Sequence, residues 1–278
     1  MVRLALMVFA LVVAAGVAAA EAPRRIASMN LCADQLLWRL AERKHIVSLS
    51  HLAADAEVSL IADEVAGIHL NHGSAEEIVP LKPDLIVAGR YSARAAVSLL
   101  RRLGYRIVQL DLAQSISDIR RQIVKLGKVL ENQDAATQII ARMDGRIDAG
   151  RPPAGAPRPT AINYQPNGFA AGPGSLIADV LVHAGFDLAH IGRSAGPYQH
   201  LPLEALINAP PDVLIVDQSY AQKPSLAQTL LAHPALGHLA SRIRRVAIPN
   251  RVWICGGPDT ALAIEQLAEV RRSWSRDQ

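Results

Sequence analysis

Residues 76–89, EEIVPLKPDLIVAG, read as a short amphipathic helix, a Lys-Pro-Asp turn and an apolar strand. The pattern returns at 204–217 as EALINAPPDVLIVD. Pro83-Asp84 falls on Pro211-Asp212 and Glu76 on Glu204, at one shared offset (211 − 83 = 204 − 76 = 128). A helix–turn–strand unit built twice, each copy opened by a glutamate, divides the chain into two similar halves.

Around these two units, short β-branched runs alternate with helical patterns, the signature of α/β architecture with mostly parallel strands. Strands are expected in the first half over 25–29, 46–49, 85–88 and 106–110, with helices over 33–41, 75–81 and 93–103. Apolar residues keep helical spacing from Ile116 to Ile147, after a Ser115 N-cap with Asp118 three residues on. The polar ENQD within this stretch marks a candidate break. The segment GRPPAGAPRP at 150–159 stops helix formation, because proline and glycine interrupt the hydrogen-bond ladder. The second half then resumes with strands over 160–164, 213–216 and 245–248, and helices over 175–184, 205–208, 226–231 and 260–272. The expected fold is α/β: two Rossmann-like lobes with mostly parallel sheets joined by a long interlobe helix. The expected divisions are a signal peptide over 1–20, an N-terminal lobe over 21–114, a helical segment over 115–150 and a C-terminal lobe over 151–278.

Arg3, an uncharged apolar run from Leu4, and the small residues Ala18-Ala19-Ala20 before Glu21 predict a cleaved leader. Cleavage there removes one Arg and no acid, so the formal charge of +4 falls to +3. The basic residues are scattered rather than clustered, and aromatics make up only 4% of the chain, so nucleic-acid binding is excluded. Two cysteines, Cys32 and Cys255, are too few for a disulfide scaffold. Three readings stay open for them: a bond between the lobes, thiols that coordinate a soft metal, or two inert buried thiols. No Walker loop, G-x-S-x-G elbow or G-x-G-x-x-G is present, and none of the nine histidines has metalloprotease spacing.

The leader, RIASMNL, AEEIVPLKPDLIVAG, the central helix, INYQPNGFAAGPGSLIADVL, PLEALINAPPDVLIVD and HPALGHLASRIRRVAIPNRVW occur in an order that resembles the helix-linked periplasmic binding proteins. These proteins serve ABC importers of cobalamin, iron–siderophores and haem. The resemblance implies a periplasmic protein that carries a metal chelate to membrane permease subunits, with no catalysis, no cofactor and no metal site of its own. Cobalamin or an iron–siderophore is the expected cargo, haem ranks behind them, and a monomer is expected. It also implies that one exposed glutamate per lobe, Glu76 and Glu204, docks to arginines of the permease. Glu77 is read apart from Glu76, as the partner of Ser74 in a capping box.

The family's ligand lies between the lobes, where strand carboxyl ends converge. The loops there nominate Asn30, Cys32, His51, Arg90 and Tyr91 in the first lobe, and Tyr164, Asn167, Tyr198, Trp253 and Cys255 in the second. His200 belongs to the same loop as Tyr198. The cysteine pair departs from the family pattern. The competing reading from another class is an exported hydrolase or metal-dependent enzyme using the same cleft.

Overall fold

The computed structural model describes residues 21–191, 196–217 and 243–274. The predicted leader and the predicted helix over 226–231 lie outside them. In the first lobe, strands β1 (Ile26–Ser28), β2 (Ile46–Ser50), β3 (Leu70–Asn71), β4 (Leu85–Gly89) and β5 (Ile107–Leu110) form one parallel sheet ordered β3-β2-β1-β4-β5. Strand β4 is covered on both faces, which is why its sequence is a continuous apolar run rather than an alternation. Helices α1 (Leu31–Leu40), α2 (Ala75–Ile78) and α3 (Arg94–Arg102) accompany the sheet. In α3, Val97 and Leu100 are buried while the arginines stay in solvent. The expected helix over 75–81 is α-helical only to Ile78 and closes as a 3-10 turn through Pro80, with Lys82 in the left-handed region at φ 46°.

Two helices, α4 (Ile116–Val129) and α5 (Gln133–Gly150), then cross between the lobes. The Ser115 hydroxyl caps α4 by accepting from the Asp118 N–H at 3.1 Å, as expected. The periodic stretch breaks within residues 130–132, where Glu131 takes φ 55° and the Asn132 N–H donates to the Gly127 carbonyl at 2.8 Å. A Cβ on Gly127 would sit 2.6 Å from that of Ala136, so the helices approach closely only because this residue is glycine.

The second lobe repeats the first. Strands β6 (Thr160–Asn163), β7 (Phe169–Ala171), β8 (Asp187–Leu188), β9 (Tyr198–His200), β10 (Val213–Val216) and β11 (Arg244–Ala247) occur with α6 (Leu176–Ala184), α7 (Leu203–Asn208) and α8 (Ala261–Trp274). Four of these strands make a parallel sheet ordered β11-β10-β6-β8. Read from the other edge, β8-β6-β10-β11 matches β2-β1-β4-β5 of the first lobe. The repeated Pro-Asp has the same task in each. The Asp84 carboxylate accepts from the Arg24 and Arg25 N–H groups at 2.8 and 3.0 Å, just before β1. Asp212 accepts from the Thr160 N–H and hydroxyl, both at 2.7 Å, at the start of β6. Each aspartate thus satisfies backbone donors at the entry of its lobe's central strand.

The chain is therefore α/β, with two lobes of mostly parallel sheet joined through helices. One continuous core runs through both, from Ile26, Leu37 and Val87 through Ile123, Met143 and Ile147 to Ile215, Ile264 and Leu267. Helix α5 touches α1 of the first lobe and α6 and α8 of the second. Among the described residues, no helix is long and apolar enough to cross a membrane.

Candidate functional site

The carboxyl ends of β3, β2, β1, β4 and β5 release, in spatial order, His72, His51, Asn30, Arg90 with Tyr91, and Asp111. Open parallel sheets place their ligands at this edge. Asn30 is committed locally. Its Oδ1 accepts from the Cys32 and Ala33 N–H groups as the cap of α1, and its Nδ2 donates to Ser92 Oγ at 2.9 Å. Arg90 is exposed and ion-paired with Asp111, and Tyr91 stands 72% exposed at the rim.

His51 and His72 stack, with ring centroids 4.6 Å apart and 21° between planes. His72 Nδ1 lies 3.0 Å from Glu77 Oε1, and the His72 N–H donates to Glu77 Oε2 at 2.8 Å. Glu77 also completes the expected capping box, receiving the Ser74 N–H at 3.3 Å while Ser74 Oγ accepts the Glu77 N–H at 3.3 Å. These donors, His72 first among them, pull the Glu77 carboxyl down to about 2. No motif in the sequence singles out His72. The box at Ser74-x-x-Glu77 was visible, but nothing local said that the same carboxylate would reach His72.

Beneath this edge Asp34 of α1 is fully buried, accepting from the Ser50 N–H at 3.1 Å and from the Ser50 hydroxyl. Burial raises its carboxyl to about 6, against the opposing pull of these hydrogen bonds and of Ser28.

In the second lobe two nominated aromatics do not line a cleft. Tyr164 is completely buried, its hydroxyl donating to the Leu201 carbonyl at 3.1 Å, and Trp253 is only 3% exposed within the shared core. Both are corrected to packing residues, because the residue after a strand can turn inward as readily as outward. The exposed aromatics lie instead on the antiparallel pair of β7 and β9, which continues from the carboxyl end of β6. Tyr198 keeps its expected place there, and Phe169 joins it, set edge-on to His200 at 6.0 Å. Phe169 escaped the sequence reading, although Pro166-Asn167-Gly168 before it is a turn signal. Asn167 is exposed in that turn at φ 60°.

Cys32 and Cys255 are bonded to each other, with Cα atoms 5.0 Å apart. Neither offers a thiolate, so the soft-metal reading is corrected. Cys32 follows β1 and Cys255 follows β11, so the bond ties the carboxyl edges of the two sheets. Neighbouring contacts cross at the same place. Arg251 donates to the Ala56 carbonyl at 3.1 Å, Arg39 pairs with Asp259 at 3.3 Å, and Ala113 leaves no room for a Cβ at Gly256. The two carboxyl edges therefore face each other across a clamped base.

Glu76 and Glu204 are the second residues of α2 and α7, both exposed and, among the described residues, neither in an ion pair. A groove of about 1040 Å³ runs elsewhere, along Gln114, Asp118, Thr160, Asp179 and His190, and includes none of the ten nominated ligand residues. It flanks the starts of α4 and α6 rather than the facing carboxyl edges.

Comparison with known proteins gives a consistent result. The periplasmic binding protein family matches residues 26–246. A cobalamin-binding protein of Halobacterium salinarum is 26% identical over 214 residues, covering 76% of this chain, and this chain spans 58% of that relative's length. Solved structures similar to it include the periplasmic heme-binding protein RhuT from Roseiflexus sp. RS-1, with a TM-score of 0.72, 19% identity, and 89% of this chain and 97% of that one covered. HutB, a periplasmic heme-binding protein of Vibrio cholerae, gives 0.73 at 17% identity over 88% and 98%. BtuF, the vitamin B12-binding protein of the same organism, gives 0.66 at 19% over 90% and 97%. With the matched segment spanning both sheets and the helices between them, the chain belongs to the periplasmic binding protein family.

Proposed function

We propose that this protein captures a metal chelate, cobalamin or an iron–siderophore ahead of haem, between its lobes and delivers it to an ABC importer. The leader sends it to the periplasm, where it works as a monomer by binding and docking, without catalysis. The observation that carries the reading is the matched pair Glu76 and Glu204, one exposed carboxylate, with no ion pair among the described residues, at the same place in each of two lobes of like topology. A two-lobed partner bearing one arginine pocket per half would meet them through charge-assisted, bidentate bonds.

The similarity to cobalamin- and heme-binding proteins supports the cargo class. His51, Arg90 and Tyr91 on one wall, with Asn167, Tyr198 and the added Phe169 on the other, offer polar and aromatic contacts for a large, flat chelate. The competing enzyme reading is set aside with the family assignment. Native mass spectrometry with an absorption spectrum of the exported protein tests the proposal. A bound corrin, haem or ferric-chelate band is the expected result. A protein that retains and takes up no such molecule overturns it.

A further inference from the structure

We propose that the solvent face of α3 and the turns beside it form a peripheral contact for anionic phospholipid, separate from the cleft and from the paired glutamates. Positive charge is concentrated there. Residues 81–110 carry six Lys and Arg against the single acid Asp84, a net of +5, whereas the whole chain is only +4, so everything else sums to −1. Arg94, Arg101 and Arg102 stand at i, i+7 and i+8 of α3, spacings that share a helix face, and all three are exposed. No acidic residue occurs in that helix. Lys82 and Arg106 continue the patch, exposed just before the adjacent strands β4 and β5. The Tyr105 hydroxyl donates to the Val79 carbonyl at 3.4 Å, holding the turn after α3 to the turn that ends at Lys82.

The fold does not account for these charges. Among the described residues none of the five cations is in an ion pair; Arg101 donates to Gln109 at 3.0 Å and Arg102 to Ser98 at 3.5 Å, both uncharged. The Asp84 carboxylate is occupied by the Arg24 and Arg25 N–H groups. Helix α2 packs on α3 and brings Glu76 and Glu77, but Glu77 is held by His72 and Ser74, and Glu76 pairs with none of the five. Arg101 and Arg102 sit in the last turn of α3, where cations favour the helix dipole. Arg94 sits in the first turn, where a cation opposes it, and Ala93 supplies no side-chain cap. Amid these guanidinium groups Leu103 stands 56% exposed. Lipid phosphates are numerous and mobile, so they are met by cations spread over one face rather than fixed in a pocket, and the layer beneath them accepts an apolar side chain such as Leu103.

The test sediments the whole mature protein with vesicles of phosphatidylcholine alone and of phosphatidylcholine mixed with phosphatidylglycerol. The expected result is binding to the mixed vesicles only, weakened by added salt. Each surface arginine contributes about fivefold to such partitioning, so Arg94→Gln/Arg101→Gln/Arg102→Gln should lose roughly 100-fold. Arg94→Gln alone should lose about fivefold and melt no lower than wild type, which keeps the test decisive if the triple variant folds poorly. A control, Arg142→Gln/Arg146→Gln/Arg151→Gln, removes the same charge from exposed positions on α5 and its cap, and should bind the vesicles as wild type does. Absence of binding to the mixed vesicles overturns the proposal, as does vesicle binding that survives the α3 substitutions. An equal loss in the α5 control would reduce the effect to net charge and overturn the patch. Capture by immobilised poly-L-glutamate with none by vesicles would make the partner an acidic polypeptide and overturn the lipid assignment.

Discussion

Replacing Cys32 and Cys255 together by serine removes a crosslink between residues 223 apart in sequence. Loop-closure entropy makes the size of the effect calculable. Closing a loop of that length restricts the unfolded chain by an amount worth about 5 kcal/mol at 25 °C. Each kcal/mol shifts the midpoint of a chain this size by about 2–4 °C, so the double variant should melt about 10–20 °C below the oxidised protein. Calorimetry of three samples isolates the bond itself: oxidised wild type, wild type reduced with a phosphine, and Cys32→Ser/Cys255→Ser. The reduced protein and the variant should melt together, and intact-mass analysis of the unreduced wild type should show no free thiol. Because the bond joins the carboxyl edges of the two sheets, its loss should also increase amide exchange in the first turn of α1 and around Gly256. A midpoint change under about 3 °C on reduction, with the folded state unchanged, would refute the reasoning. The bond would then add little to a base already clamped by the shared core.

Three further outcomes follow from other sites. Asp34 has a folded pKa near 6 against an ordinary 3.8, so its stabilising contribution is complete below about 3.8 and is lost as pH rises through 6. Asp34→Asn should therefore gain up to about 3 kcal/mol relative to wild type between pH 4 and pH 7.5 in urea titrations; parallel pH profiles would count against a buried, raised carboxyl. Tyr164→Phe should cost about 1 kcal/mol through its lost bond to Leu201 and leave chelate affinity unchanged, whereas a large fall in affinity with stability intact would return Tyr164 to the cleft. Glu76→Ala with Glu204→Ala should preserve ligand affinity and abolish uptake in cells, and normal uptake would remove the docking role.

Much of the molecule could be read locally. The repeated helix–Pro-Asp–strand unit announced two like lobes because its signals are short-range: a capped turn, a proline that ends a helix, and an apolar run long enough to be covered on both faces. The Ser74–Glu77 box and the Ser115 cap were legible for the same reason. The break between α4 and α5 was visible only as polarity in ENQD, and its position was fixed by the close approach of Gly127 to Ala136, a contact between helices. Strands β3 and β8 were missed because two-residue strands carry no periodicity. The antiparallel pairing of β7 with β9 joins segments separated by α6 and β8.

The site divides along the same line. Sequence by itself determined the lobes, the recurring glutamates and the loops that follow each strand, since these depend on order along the chain. Tertiary structure decided which of those residues face solvent. It buried Tyr164 and Trp253, joined His72 to Glu77 and His51, and brought Cys32 to Cys255 across 223 residues. The physical reason is that a side chain's direction at a strand end, and its partner from a distant segment, are set by packing between elements, which no local pattern encodes.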